Sequence, residues 1–184
     1  MVRLLVADDD RVVLFTLAEG LREAGFDVIE ARDGRQALSL CLAEKPDLAL
    51  LDIRMPGLDG LELARRLRDE TRVPFLFFSA YGDHAYVERA VEIGALGYLI
   101  KPLQVAAIVP TIHAALARAQ DLSGLQRALA SNRTIATAVG MLMQAESLSQ
   151  QTAFDRLRQQ ARTQRVRLED LAAAMIAKDP RRNA

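Results

Sequence analysis

The 184-residue sequence predicts a doubly wound α/β domain followed by a small all-helical one. Three observations carry that expectation. Short, unbroken apolar runs recur through the first 120 residues, each bounded by charged or turn residues, as strands covered on both faces of a parallel sheet do. Between them lie segments with helical apolar spacing, and this alternation implies parallel strands joined by crossover helices. After residue 120 the strand signals stop and only helical periodicity continues.

In order, strands are expected at 3–7, 27–31, 48–51, 74–79 and 97–100, with helices at 11–24, 34–44, 59–69, 84–93 and 104–119. Leu4-Leu5-Val6-Ala7 forms the first apolar run, and Asp10 is placed to cap the helix that starts near Arg11. Gly25 stops that helix, and Asp33-Gly34 turns the chain into the next. Pro46 ends the second helix, Pro56-Gly57 forms a loop and Pro74 opens a strand. Five strands in this length suit the flavodoxin-like strand order.

Residues 121–184 form the expected second domain. Leu122, Leu125, Leu129, Ala136, Val139 and Met143 recur at spacings of three, four and seven, a helical pattern with a heptad character. Asn132 occupies a heptad position within it. Further helices are expected at 149–163, with Ser149-Gln150-Gln151 as its cap and Ala153, Phe154, Leu157 and Ala161 as its stripe, and at 168–178, with Leu168, Leu171, Ala172, Met175 and Ile176. Helices of this size bury little apolar surface alone, which points to dimerisation or another partner. Pro180 to Ala184 reads as a frayed tail.

Composition narrows the function classes. The hydrophobic fraction of 51% supports a packed core. No apolar run is long enough to span a bilayer. Three aspartates follow the first seven residues, which argues against a secretory signal and for the cytoplasm. The single Cys41 excludes a disulfide scaffold and reads as a small buried hydrophobe. The zero net charge conceals a split: residues 1–120 carry 14 Lys+Arg against 18 Asp+Glu, and residues 121–184 carry 10 against 6. A basic module appended to an acidic one is compatible with a nucleic-acid partner.

Chemistry concentrates at three strand ends. Asp8, Asp9 and Asp10 follow the first run, Asp52 follows Leu48-Ala49-Leu50-Leu51, and Lys101-Pro102 follows Gly97-Tyr98-Leu99-Ile100. In parallel sheets ligands collect at the carboxyl ends of strands, so these residues describe one charged pocket. Mutual repulsion among Asp8, Asp9 and Asp52 is relieved by a divalent cation, and hard oxygen ligands favour Mg²⁺. With the metal in place a carboxylate can act as nucleophile toward a phosphoryl group; Asp52, alone at its strand end, suits that role. Asp9 would hold the metal with Asp8 as outer support, and Lys101 would pair with phosphoryl oxygens. His84 reads as a solvated helix-start residue, and His113 lacks the Cys or His neighbours of a metal site.

The runs Val6-Ala7-Asp8-Asp9-Asp10, Leu51-Asp52-Ile53-Arg54-Met55-Pro56-Gly57-Leu58-Asp59-Gly60, Phe78-Ser79-Ala80-Tyr81 and Lys101-Pro102 resemble the receiver domain of two-component response regulators. The resemblance covers about residues 1–120. It implies that Asp52 is the phosphoacceptor, supplied by a sensor histidine kinase, and that Asp8 and Asp9 are the acidic pair. It further implies that the Arg54 carbonyl completes the Mg²⁺ shell, that Ser79 and Tyr98 switch on phosphorylation, and that Lys101 precedes a cis proline. Arg54 and Tyr81 are expected to flank the site and shield it from water.

The segment Leu129 to Met143, followed by Ala153-Phe154-Asp155-Arg156-Leu157-Arg158 and Leu168-Glu169-Asp170-Leu171-Ala172, resembles the three-helix ANTAR output domain, named for the AmiR and NasR antiterminators. That resemblance implies a dimer binding paired hairpins in nascent transcripts. It departs at Val139, where the family usually has a basic residue before the glycine matched by Gly140. Phe154 is the sole aromatic after residue 120, which excludes an aromatic stacking platform. Arg133, Thr134, Thr137, Gly140 and Gln144 share one helical face and are the expected RNA contacts, with Gly140 permitting close approach or, alternatively, tight helix packing. Arg156, Arg158, Arg162, Arg165 and Arg167 would add phosphate contacts or form a solvated face. A DNA-binding regulator and a protein-docking output are the competing readings. Against the first, Glu146-Ser147-Leu148-Ser149 lacks the glycine often found in a helix-turn-helix turn.

Overall fold

The computed structural model describes residues 1–80, 84–102 and 104–178. The expected flanking role of Tyr81 and the expected tail Pro180–Ala184 lie outside the described residues. The chain divides into two compact units, Met1–Gln120 and Asp121–Ala184.

The first unit is a five-stranded parallel sheet of order β2-β1-β3-β4-β5, formed by β1 (Arg3–Ala7), β2 (Asp27–Ala31), β3 (Leu48–Asp52), β4 (Phe75–Ser79) and β5 (Tyr98–Ile100). Period-two alternation sends neighbouring side chains to opposite faces. Leu4, Val6, Leu48, Leu50, Leu76 and Phe78 meet α1 (Arg11–Glu23) and the first turns of α5 (Val105–Glu146) through Leu14, Leu17, Leu21, Ile108 and Ile112. Leu5, Ala7, Ala49, Leu51, Phe75 and Phe77 meet α2 (Gly34–Glu44), α3 (Gly60–Arg66) and α4 (His84–Ile93). Both faces are therefore covered, which is why β1, β3 and β4 are nearly all apolar.

Caps set the helix starts. Asp10 accepts from the Val12 and Val13 amides, Asp33 from Gln36 and Asp59 from Glu62. Each such cap is worth roughly 1 kcal/mol. The third helix is shorter than expected: α3 ends at Arg66 and a π-helical turn, Leu67–Thr71, follows it. Arg72 closes that turn at φ 62° and donates its amide to the Leu67 carbonyl.

The largest departure from expectation concerns α5. Separate helices were expected on either side of residue 120, but α5 runs unbroken over 42 residues and passes both Pro110 and Gly124. Ala114 to Gln120 contains no helix breaker, and a single glycine costs a helix only about 1 kcal/mol relative to alanine.

The second unit packs the last part of α5 against α6 (Gln150–Gln164) and α7 (Leu168–Ala177). Its core is small: Ala138, Val139, Leu142, Ala153, Leu157, Ala161, Leu171 and Ala172. Ser149 caps α6 by accepting from the Thr152 amide. Ser147 takes φ 52° in the connection before it, so a serine supplies the left-handed turn where a glycine would be less strained. Upstream, Leu122, Leu125 and Leu129 are about half exposed (47, 60 and 60%), leaving the start of the heptad pattern uncovered.

Candidate metal centre

The carboxyl ends of β1, β3 and β4 bring the charged residues together because the strand order places β1 and β4 on either side of β3. Asp8, Asp52 and Ser79 are the buried polar residues of the described chain, at 1, 5 and 1% exposure. Lys101 reaches across from the end of β5, with Nζ 2.6 Å from Asp8 Oδ2 and 2.8 Å from Asp52 Oδ1. Its ammonium also lies 4.8 Å from the Phe78 ring centroid. The other oxygens are engaged too: Asp8 Oδ1 accepts from the Asp10 amide at 2.9 Å, and Asp52 Oδ2 accepts from the Arg54 amide at 2.7 Å. Asp9 is exposed at the mouth.

Electrostatics follow from burial. Desolvation pushes the Asp8 carboxyl above its ordinary value, outweighing the pull of Lys101 and the Asp10 amide; the nearby Asp52 charge pushes the same way. Burial lowers Lys101, but hydrogen bonds and charge from Asp52 and Asp8 together overcome it and raise the ammonium above the ordinary lysine value. One shared lysine thus neutralises part of a doubly acidic site and leaves an electrostatic deficit.

That deficit suits a cation. One oxygen from each of Asp8, Asp9 and Asp52 lies within 4.8 Å of the others. Two ligands on one Mg²⁺ at about 2.1 Å can be no more than about 4.2 Å apart, so the trio fits an ion that binds some carboxylates directly and one through water. Both oxygens of Asp8 and of Asp52 are already bonded, whereas Asp9 stands exposed at the mouth, open to an arriving ion.

Glycines allow the loops to close on the site. A Cβ on Gly60 would lie 2.1 Å from the Asp52 carbonyl oxygen, and one on Gly34 would lie 2.2 Å from the Leu58 carbonyl oxygen. Neither contact was singled out from the sequence; the signal was available only in the Asp59-Gly60 and Asp33-Gly34 pairs. Ser79 ends β4, and its carbonyl accepts from the Lys101 amide at 2.8 Å. Tyr98 opens β5, half-buried against the core beside α4, and the Lys101-Pro102 bond is cis. Arg54 is exposed, lining a cleft of about 430 Å³ with Asp9, Met55, Tyr86 and Arg89.

Cys41 is buried in α2 and its thiol is pushed up to about 12 by desolvation, which disfavours the reactive thiolate. His84 is exposed at the start of α4, its Nδ1 3.2 Å from Glu88, and His113 tilts against Phe26.

In the second unit Arg133, Thr134 and Thr137 line one groove of about 360 Å³ with Ala173, Ile176 and Ala177. Gly140 and Gln144 are exposed on α5 outside it. Among the described residues a Cβ on Gly140 would meet nothing within 4 Å, so they give the tight-packing alternative no support. Val139 is buried in the small core, so the departure from the family pattern replaces a basic residue with a core one. Arg156 pairs with Glu146 and Arg167 with Glu169, whereas Arg158, Arg162 and Arg165 are exposed.

A 2-1-3-4-5 parallel sheet with an acidic cluster and a lysine at its carboxyl ends is the architecture of a receiver-type signalling domain. The profile of the response regulator receiver domain matches residues 4–113, and that of the ANTAR domain matches residues 123–176. The chain belongs to the response regulator family and carries a C-terminal ANTAR domain. It is 29% identical over 182 residues to the transcriptional regulatory protein PdtaR of Mycobacterium tuberculosis, covering 95% of this chain and 89% of that one. Similarity to the transcriptional regulatory protein CseB of Streptomyces avermitilis is higher, 41% over 120 residues, but covers 65% of this chain and 51% of CseB. Among solved structures, the receiver domain of Francisella response regulator 1452 superposes with a TM-score of 0.61 at 28% identity, covering 64% of this chain and 98% of that one. A CheY-like receiver from Methanospirillum hungatei shares the fold at 24% identity and a TM-score of 0.62, covering 66% and 98%. Both matched domains are regulatory rather than enzymatic. The receiver implies a histidine kinase partner, and the ANTAR domain implies RNA binding. Among the described residues no helix is long and apolar enough to cross a membrane.

Proposed function

We propose that this response regulator is switched by phosphorylation of Asp52 and, once switched, binds hairpins in nascent RNA to regulate transcription by antitermination. The observation that carries the first half is the convergence of Asp8, Asp9, Asp52 and Lys101 on one pocket. In the transfer, a carboxylate oxygen of Asp52 attacks phosphorus, the P–N bond to the donor histidine breaks, and imidazole leaves. Asp9, Asp52 and the Arg54 carbonyl, with Asp8 behind, would hold Mg²⁺, which when bound would neutralise charge on the transferring oxygens. Lys101 gives up part of its resting pairing to bind a phosphoryl oxygen. Ser79 turns its hydroxyl toward the same group, and Tyr98 follows inward.

For the output, Arg133, Thr134, Thr137, Gly140 and Gln144 form the RNA face, supported by the basic balance of residues 121–184. A homodimer is assembled along Leu122, Leu125 and Leu129, whose exposure leaves a heptad seam for a second copy. Replacing Leu125 and Leu129 by Glu is expected to shift sedimentation equilibrium toward monomer; an unchanged dimer would remove this seam from the account.

Acetyl phosphate with Mg²⁺ is expected to label the protein, and Asp52→Asn to abolish the label. Label surviving in that variant would refute the assignment. Sequencing of RNA crosslinked to the phosphorylated protein is expected to enrich leader hairpins, whereas promoter DNA enriched in their place would favour a DNA-binding output.

A further inference from the structure

We propose that the groove between α5 and α7 receives one unpaired nucleobase from the loop of an RNA hairpin. This rests on the RNA reading above and adds where and how a base is held.

Three residues picked from the sequence for RNA contact, Arg133, Thr134 and Thr137, form one wall, and Ala173, Ile176 and Ala177 of α7 form the other. The walls differ in chemistry. The α7 wall is apolar and fits a flat ring face. The α5 wall carries a guanidinium, which can stack on a base or bond its edge. The Thr134 and Thr137 hydroxyls donate to the Ala130 and Arg133 carbonyls, which leaves their oxygens as acceptors toward the groove. Among the described residues no acidic side chain lines the groove, which favours the approach of the adjoining phosphates.

Size and surroundings select the occupant. A volume of about 360 Å³ lies at the small end of ligand pockets and suits one base with its sugar rather than a folded partner. One turn further along α5, Gly140 leaves open space beside the helix, so a backbone continuing from the groove meets no side chain there. Binding by shape, stacking and edge contacts to a splayed loop base also fits a unit in which Phe154, half-buried against the core, is the sole aromatic.

The test uses the full chain treated with acetyl phosphate and Mg²⁺, and a pool of paired RNA hairpins with randomised loops. After selection, 2-aminopurine is placed at each loop position in turn. One position is expected to change emission on binding. Ala173→Phe, at an exposed site outside the core, fills the groove and is expected to weaken binding about tenfold or more and abolish that emission change, with the circular dichroism spectrum unaltered. Arg133→Lys keeps the charge but loses the planar group; it is expected to weaken binding while leaving the salt dependence unchanged. Equal affinity and equal emission change in Ala173→Phe would overturn the groove and leave RNA binding standing. A pool from which the wild-type chain retains nothing would overturn the RNA reading and the groove with it.

Discussion

The two units handle charge in opposite ways. The receiver buries two carboxylates and spans them with one lysine, at 2.6 and 2.8 Å. The helical unit keeps its charges at the surface, where the Arg156–Glu146 pair, 2.6 Å apart, joins side chains that are 53 and 31% exposed. Similar distances carry different energies, because water screens the second pair and not the first. The contrast also explains why the units differ in how openly they declare their chemistry. A buried charge must have a partner, so finding it exposes the site, whereas an exposed arginine needs no explanation.

The sharpest way to break this comparison is to cut one pair in each unit. Lys101→Met strands two buried carboxylates and is expected to cost the receiver about 3–5 kcal/mol in urea unfolding. Next in size is Asp8→Asn. Burial raises the Asp8 pKa, so its favourable contribution is present below the ordinary carboxylate value of 3.8 and lost as pH rises through the raised value. Near neutral pH the ionised group therefore costs stability, and Asp8→Asn is expected to raise the metal-free Tm by a few degrees, flatten its pH dependence between 3.8 and the raised value, and weaken stabilisation by Mg²⁺. A variant less stable than wild type at pH 7 would show that the lysine, not burial, dominates. Smallest is Glu146→Gln, expected to change stability by less than about 0.5 kcal/mol. A cost matching that of Lys101→Met would erase the distinction between the units.

Legibility followed the same division. The five strands were readable because sheets covered on both faces leave unbroken apolar runs, and Asp52 and Lys101 stood out because charge directly follows such runs. Which aspartate is buried was not readable: Asp8 and Asp9 are adjacent, and only the direction in which β1 leaves the sheet separates them. The continuity of α5 was missed because the strand signals end near residue 120 and a domain boundary was drawn there, while the backbone responds only to propensity and finds no stop. The groove was hidden for a different reason. Ile176 was assigned to an apolar stripe, and local periodicity cannot tell that a half-buried residue on α7 will face Arg133, more than forty positions away.

Gly60 carries a last consequence. Since even a methyl group there would collide with the Asp52 carbonyl, the peptide bearing the acceptor and the opening turn of α3 touch with no slack between them. A displacement of that peptide is therefore expected to push on the opening turn of α3. The bearing surface is a hydrogen atom, and replacing it with alanine would jam the joint while leaving every charged residue in place.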